Sequence, residues 1–149
     1  MYRKILVPLD GSPRAEAILP HVEEMAQLYR SEVILLQVIA PDTMSAAAYH
    51  RPPHIELDNL FQQYEQEAKA YLAERQADLQ SKAIPHCSFL EYGPVVSTII
   101  NVAEREQVDL IAIASHGRSG LSRALYGSVA AGVLNQVNMP LLIIRAPGQ

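Results

Sequence analysis

The sequence predicts an α/β fold: one parallel sheet, doubly wound, with helices on both faces. Three observations predict it. Five short apolar stretches rich in branched residues recur along the 149 residues. Segments with helical periodicity fill the intervals between them. Two of the strand ends run into glycine-bearing turns that open helices. Strands alternating with crossover helices pair in parallel, with right-handed connections, because a right-twisted strand packs its following helix back onto the sheet only that way.

The first strand is Lys4-Ile-Leu-Val-Pro-Leu-Asp10. Pro8 cannot donate to a ladder, so it belongs near the strand's end. Asp10-Gly11-Ser12-Pro13 is a strand-to-helix turn: Gly11 supplies an unusual backbone conformation, Ser12 suits an N-cap and Pro13 the first helical position. Ala15, Ile18, Leu19, Val22, Ala26 and Tyr29 then follow at helical spacing, with a kink expected at Pro20 because proline removes a helical hydrogen bond.

Glu32 to Ile39 is the second strand, almost continuously apolar, as strands buried on both faces are. From Ala40 to Glu56 the pattern dissolves, with Pro41, Pro52 and Pro53 and the run Ser45-Ala-Ala-Ala48. This segment reads as a mobile insertion at the mouth of any site near Val38. Leu57, Leu60, Phe61, Tyr64, Ala68, Tyr71, Leu72 and Leu79 mark a long amphipathic helix to Ser81, with Tyr64 and Tyr71 on its apolar stripe. Ile84 to Glu91 is the third and least apolar strand, which suits a sheet edge. Gly93-Pro94 opens a helix carried by Val95, Val96, Ile99, Ile100 and Ala103. Val108 to Ala114 is the fourth strand. After a glycine-rich turn comes a helix through Val129, Val133, Leu134 and Val137, broken at Asn138-Met-Pro140, and Leu141 to Ile144 is the fifth strand.

Bulk composition narrows the function. Residues 1–149 make one domain, long enough to bury roughly 70% of the surface its unfolded chain exposes. A net charge of −4 lacks the basic face of a duplex nucleic-acid binder. The single cysteine, Cys87, excludes an intramolecular disulfide and suits a reducing compartment; it reads as a small buried hydrophobe. No signal peptide is evident and no run approaches 18 apolar residues, so the expectation is a cytoplasmic protein with no membrane partner. His50 and His54 have no carboxylate or thiol beside them, which is weak support for a metal site.

The chemistry concentrates in Ile111-Ala-Ile-Ala-Ser-His-Gly-Arg-Ser-Gly-Leu-Ser-Arg-Ala-Leu-Tyr-Gly-Ser128. A strand running through a glycine-rich turn into a helix is a device for holding phosphate: glycines let the backbone approach an anion, and the N–H groups of the helix start point at it. Ser128 suits the N-cap and offers its hydroxyl to a phosphate oxygen. Arg118 and Arg123 lie in the same loop and are placed to neutralise phosphate charge. His116 reads as a structural loop histidine. There is no Gly-Lys-Ser/Thr, no Gly-x-Gly-x-x-Gly, and Ser119 has Leu121 where a nucleophile elbow needs glycine.

What remains resembles the nucleotide-binding loop of the universal stress protein family, Gly-x2-Gly-x9-Gly-Ser/Thr after the fourth strand. Gly117, nine residues, then Gly127-Ser128 match its second half; Ala114 stands where the first glycine falls. The resemblance covers essentially the whole chain. It implies a Rossmann-like, five-stranded sheet of order 3-2-1-4-5, so that Asp10 and Ala114 end adjacent strands at a topological switch point. It implies an adenine-nucleotide site, ATP or a relative and a divalent cation such as Mg2+. Pro8 would line it, Asp10 would contact the ribose, and the Val38 backbone would read the adenine edge. Ala114 would stand at the ribose contact through its main chain, and Gly117, Arg118, Gly127, Ser128 and Val129 would lie by the phosphates. It also implies a homodimer through strand 5 (Leu141, Leu142, Ile143, Ile144) acting as a stress-response regulator or sensor. With no Walker lysine and no base aimed at water, hydrolysis is expected to be slow or absent. Two other classes compete. An adenylating enzyme of similar fold carries Ser-Gly-Gly-x-Asp-Ser after strand 1, which Asp10-Gly11-Ser12-Pro13 does not match. A dimerisation module without nucleotide is favoured only by Ala114.

Overall fold

A computed structural model of the chain describes residues 1–116 and 127–147. Five parallel strands, β1 (Lys4–Leu9), β2 (Glu32–Ile39), β3 (His86–Tyr92), β4 (Leu110–His116) and β5 (Leu141–Ala146), form one sheet in the order β3-β2-β1-β4-β5. The expected topology is therefore observed. Alternate residues of the central strands face opposite ways and build two cores. Ile5, Val7, Leu9, Val33 and Leu35 pack on one face against Val22 and Ala26 of α2 (Leu19–Tyr29) and Leu72 and Leu79 of α4 (Leu57–Ser81). Leu6, Ile34, Leu36 and Ile111 pack on the other against Ile99, Val102 and Ala103 of α5 (Val95–Arg105) and Val133 of α6 (Ser128–Gln136).

The central ladder is uneven. β1 is in register with β2 from Lys4 opposite Glu32 to Leu9 opposite Gln37. It is in register with β4 only at Ile5 and Leu6, opposite Leu110 and Ile111. Toward their carboxyl ends β1 and β4 leave each other, and the crevice that a switch point creates opens there.

Several expected elements need correction, among them β5, which runs on past Ile144 to Ala146. The single kinked helix after β1 is two helices, α1 (Pro13–Glu16) and α2, because Pro20 falls in the first turn of α2, where a missing N–H costs nothing. The patternless segment after Ala40 contains α3 (Pro41–His50). Proline in its first turn, Asp42 beside the N-terminus and the alanine run favour a helix without a strong apolar stripe, and the buried Met44 anchors it against Ile39 and Ala68. Strand β4 starts two residues later than expected and continues to His116, because β5 supplies a ladder as far as Ala146. Strand β3 likewise runs from His86 to Tyr92. By contrast α4 has the expected limits, and Ser12 caps α1 as expected, its Oγ accepting the Ala15 N–H at 3.1 Å.

Candidate functional site

The first strand ends in a self-braced turn. Gly11 adopts φ +83, in the left-handed region where glycine is favoured. Asp10 Oδ1 accepts the Ser12 N–H at 2.9 Å and the Ser12 hydroxyl at 2.6 Å, which fixes the carboxylate at the rim of the crevice. The second strand brings main-chain groups to the same place. The Glu32 N–H donates to Arg3 O on the β1 side, and the Val33 N–H to Pro85 O on the β3 side. The Ile39 carbonyl also points to the β3 side, where it accepts the Gly93 N–H. By this alternation Val38 turns its main chain toward β1; the last pair of the ladder, Leu9 opposite Gln37, takes up the Val38 N–H, and the Val38 C=O lies beyond the end of β1.

A single cleft results. Pro8, Asp10, Val38, Ala114, Gly127 and Val129 all line it. Six of the nine residues expected to form the site thus meet, although more than a hundred residues separate Asp10 from Gly127. Leu36, Val95, Ile99 and Ile113 make its inner wall apolar. The start of α6 stands at its edge, and the first N–H groups of a helix have no acceptor within it. An apolar slot beside a main-chain edge, a carboxylate and a helix start suits a flat heterocycle joined to an anionic group.

The remaining expected residues are placed as follows. Gly127, not Ser128, is the N-cap of α6, with no side-chain cap bond; Ser128 is the first helical residue, exposed, and does not line the cleft. Gly127 has φ −57, open to any residue, so a side chain there acts by occupying space and not by strain. Ala114 sits inside β4 and has no positive φ, so the glycine of the family's pattern is not required by the backbone. His116, expected in a loop, is the last residue of β4, opposite Ala146. Gly117, Arg118 and Arg123 lie outside the described residues.

Sequence reasoning missed Arg14 and Ala15 of α1, which also line the cleft. Their signal was faint, since an arginine after a turn is common on surfaces. Leu36 was legible: it lies two residues before Val38 on the same face of β2. Tyr71 is half-buried as its stripe position suggested, but its hydroxyl donates to Glu16 Oε1 at 2.8 Å. Burial, followed by that bond and the charges of Glu16 and Asp10, pushes its phenol far above the ordinary range. Burial and then Glu32 push the Cys87 thiol up, so it is not an activated nucleophile. Among the described residues no group of three or more His, Cys, Asp or Glu side chains could hold a metal ion. No described helix is long and apolar enough to cross a membrane.

The model of the universal stress protein family matches residues 1–145. The chain belongs to this family. Universal stress protein MJ0577 of Methanocaldococcus jannaschii is 30% identical over 97% of this chain and 96% of its own length. A solved structure of MJ0577 superposes with a TM-score of 0.84 at 31% identity, covering 100% of this chain and 99% of that one. Universal stress protein YxiE of Bacillus subtilis is 26% identical over 97% of this chain and 100% of its own. At 20% identity, a universal stress protein from Archaeoglobus fulgidus solved in complex with dAMP shares the fold, with a TM-score of 0.66 over 97% of this chain and 98% of that one.

Proposed function

We propose that the protein is an adenine-nucleotide-binding regulatory module that binds ATP in the cleft at the carboxyl ends of β1 and β4. One observation carries this reading: strand pairing brings Asp10, the Val38 carbonyl beyond the end of β1 and the start of α6 around one apolar slot. The base enters the slot against Leu36, Ile99 and Ile113, and its polar edge meets the Val38 backbone. The ribose lies by Asp10, and the phosphates lie by Gly127 and the N–H groups of Ser128 and Val129. A divalent cation such as Mg2+ would accompany the phosphates and offset their charge. No group in the described part of the cleft is built to activate water, so binding and not turnover is the functional event. A melt with millimolar ATP and Mg2+ tests this. Ligand at a hundred times its dissociation constant adds ~2.7 kcal/mol, a rise of about 5–11 °C for a chain of this size. No rise would hand the assignment to the dimerisation module without nucleotide.

The protein acts as a homodimer in this reading. Among the described residues β5 pairs with β4 alone, and Leu141, Leu142, Ile143 and Ile144 are all partly exposed. An apolar edge of this kind invites pairing with another strand, and a twofold mate supplies the same strand. Light scattering at micromolar concentration should give twice the chain mass, and Ile143→Lys should give monomer or insoluble protein. A monomeric wild type overturns the dimer.

A further inference from the structure

Helix α1 has four residues and no buried side chain, yet Arg14 and Ala15 form part of the cleft wall. Its first turn is braced by Ser12 and Asp10. Its last residue, Glu16, is held from the far side of the core by α4. The Tyr71 hydroxyl donates to Glu16 Oε1 at 2.8 Å, and Arg75 Nη1 lies 3.3 Å from the same oxygen. The Arg75 guanidinium also stands over the Tyr71 ring, 5.7 Å from its centre, so the two donors brace each other. With its side chain 18% exposed, Arg75 is largely shielded from water, and the contact is worth more than a surface ion pair. Tyr71 and Asp10 face one further recess beside the turn, on the side of the sheet covered by α4.

We propose that Tyr71 and Arg75 are positioning residues for the nucleotide site. By gripping Glu16 they hold α1, and through α1 they set the Asp10 turn and Arg14 against the bound ligand. Buried Ile18, just beyond Glu16, is the pivot about which a released α1 would swing. The inference rests on the nucleotide reading for its consequence, but the grip itself does not. It also makes the Tyr71–Arg75 turn of α4 the route by which anything that shifts that turn changes affinity at a cleft it does not line.

The test pairs two measurements on the full chain. One is hydrogen exchange of the Ala15 to Ile18 amides without nucleotide, which the grip alone controls. The other is calorimetric titration with ATP and Mg2+. Tyr71→Phe and Glu16→Ala should each speed exchange in α1 about fivefold or more, because local opening follows the lost tether. Each should weaken ATP about three- to tenfold, and the double variant should be no weaker than the worse single one, as for residues acting as a unit. Lys82→Gln is the control. It removes the Lys82–Glu23 contact (2.5 Å), which ties the end of α4 to α2 away from the cleft, and should leave α1 exchange and ATP affinity unchanged. Unchanged α1 exchange in Tyr71→Phe overturns the grip. Faster exchange with unchanged affinity, or an equal loss of affinity in Lys82→Gln, overturns the positioning role. A wild type that does not bind ATP refutes the nucleotide reading and with it the positioning role, while the exchange rates still decide whether α4 holds α1.

Discussion

Of the helices that begin at the crevice, α1 and α6 begin differently. α1 satisfies its own start: Ser12 takes the Ala15 N–H, and Asp10 takes the Ser12 N–H and hydroxyl. α6 starts at Gly127 with no side-chain cap. Every helix start leaves N–H groups without an internal acceptor, and a capping side chain consumes one of them. A start that uses its donors internally is a structural joint. A start that leaves them out is available to an anion. The contrast separates the two halves of the cleft: the end of β1 supplies a fixed carboxylate, and the start of α6 supplies donors.

The largest expected effect comes from filling the uncapped start. Gly127→Val puts a branched side chain where the proposed phosphates would lie, and at φ −57 the backbone tolerates it. The ligand-free melt should stay close to wild type, while the stabilisation by ATP, ~2.7 kcal/mol at a hundredfold excess over the dissociation constant, should vanish. A shift that survives would place ATP elsewhere.

Removing the cap at the other start should be felt in the opposite column. Ser12→Ala loses a cap worth ~1 kcal/mol, lowering the ligand-free midpoint by about 2–4 °C. The stabilisation by ATP should survive in large part, since the α6 donors are untouched. If Ser12→Ala abolishes the ATP shift with little change in the ligand-free melt, the two starts do not divide their roles as proposed.

The smallest effect is the most diagnostic. Gly127→Ser gives α6 its own cap, because ψ 161 with φ −57 already matches N-cap geometry. Ligand-free stability should rise by only a few tenths of a kcal/mol, since glycine is itself a fair cap. ATP should bind more weakly, because the serine oxygen competes with phosphate for the same amide. Unchanged or tighter affinity would mean that the first-turn donors of α6 do not hold the phosphates.

Much of this molecule was legible in its sequence. Strands β1 and β2 are short and almost continuously apolar, as strands covered on both faces are, and β2 has its expected limits while β1 stops one residue short, at Leu9. The 25-residue helix α4 followed from its apolar period. Ser12 followed from the chemistry of N-caps. The approximate positions fail where a neighbour in space decides. β4 runs on to His116 because β5 offers it a ladder, and no local residue announces that. α3 has little amphipathic pattern, and its anchor is the contact of Met44 with Ile39 and Ala68.

The same division holds at the site. Sequence by itself determined the fold class, the turn after β1 and the glycine spacing before α6, because each is a local property: a period, a cap, a backbone preference. Only the tertiary structure decided that Arg14 joins the cleft, that Val38 turns its main chain toward the end of β1, that Gly127 and not Ser128 caps α6, and that Glu16 is gripped by Tyr71 55 residues away. These depend on where strands stop pairing and which helices cross the sheet. Such pairings are set by the packing of the whole core, and no short stretch of chain contains them.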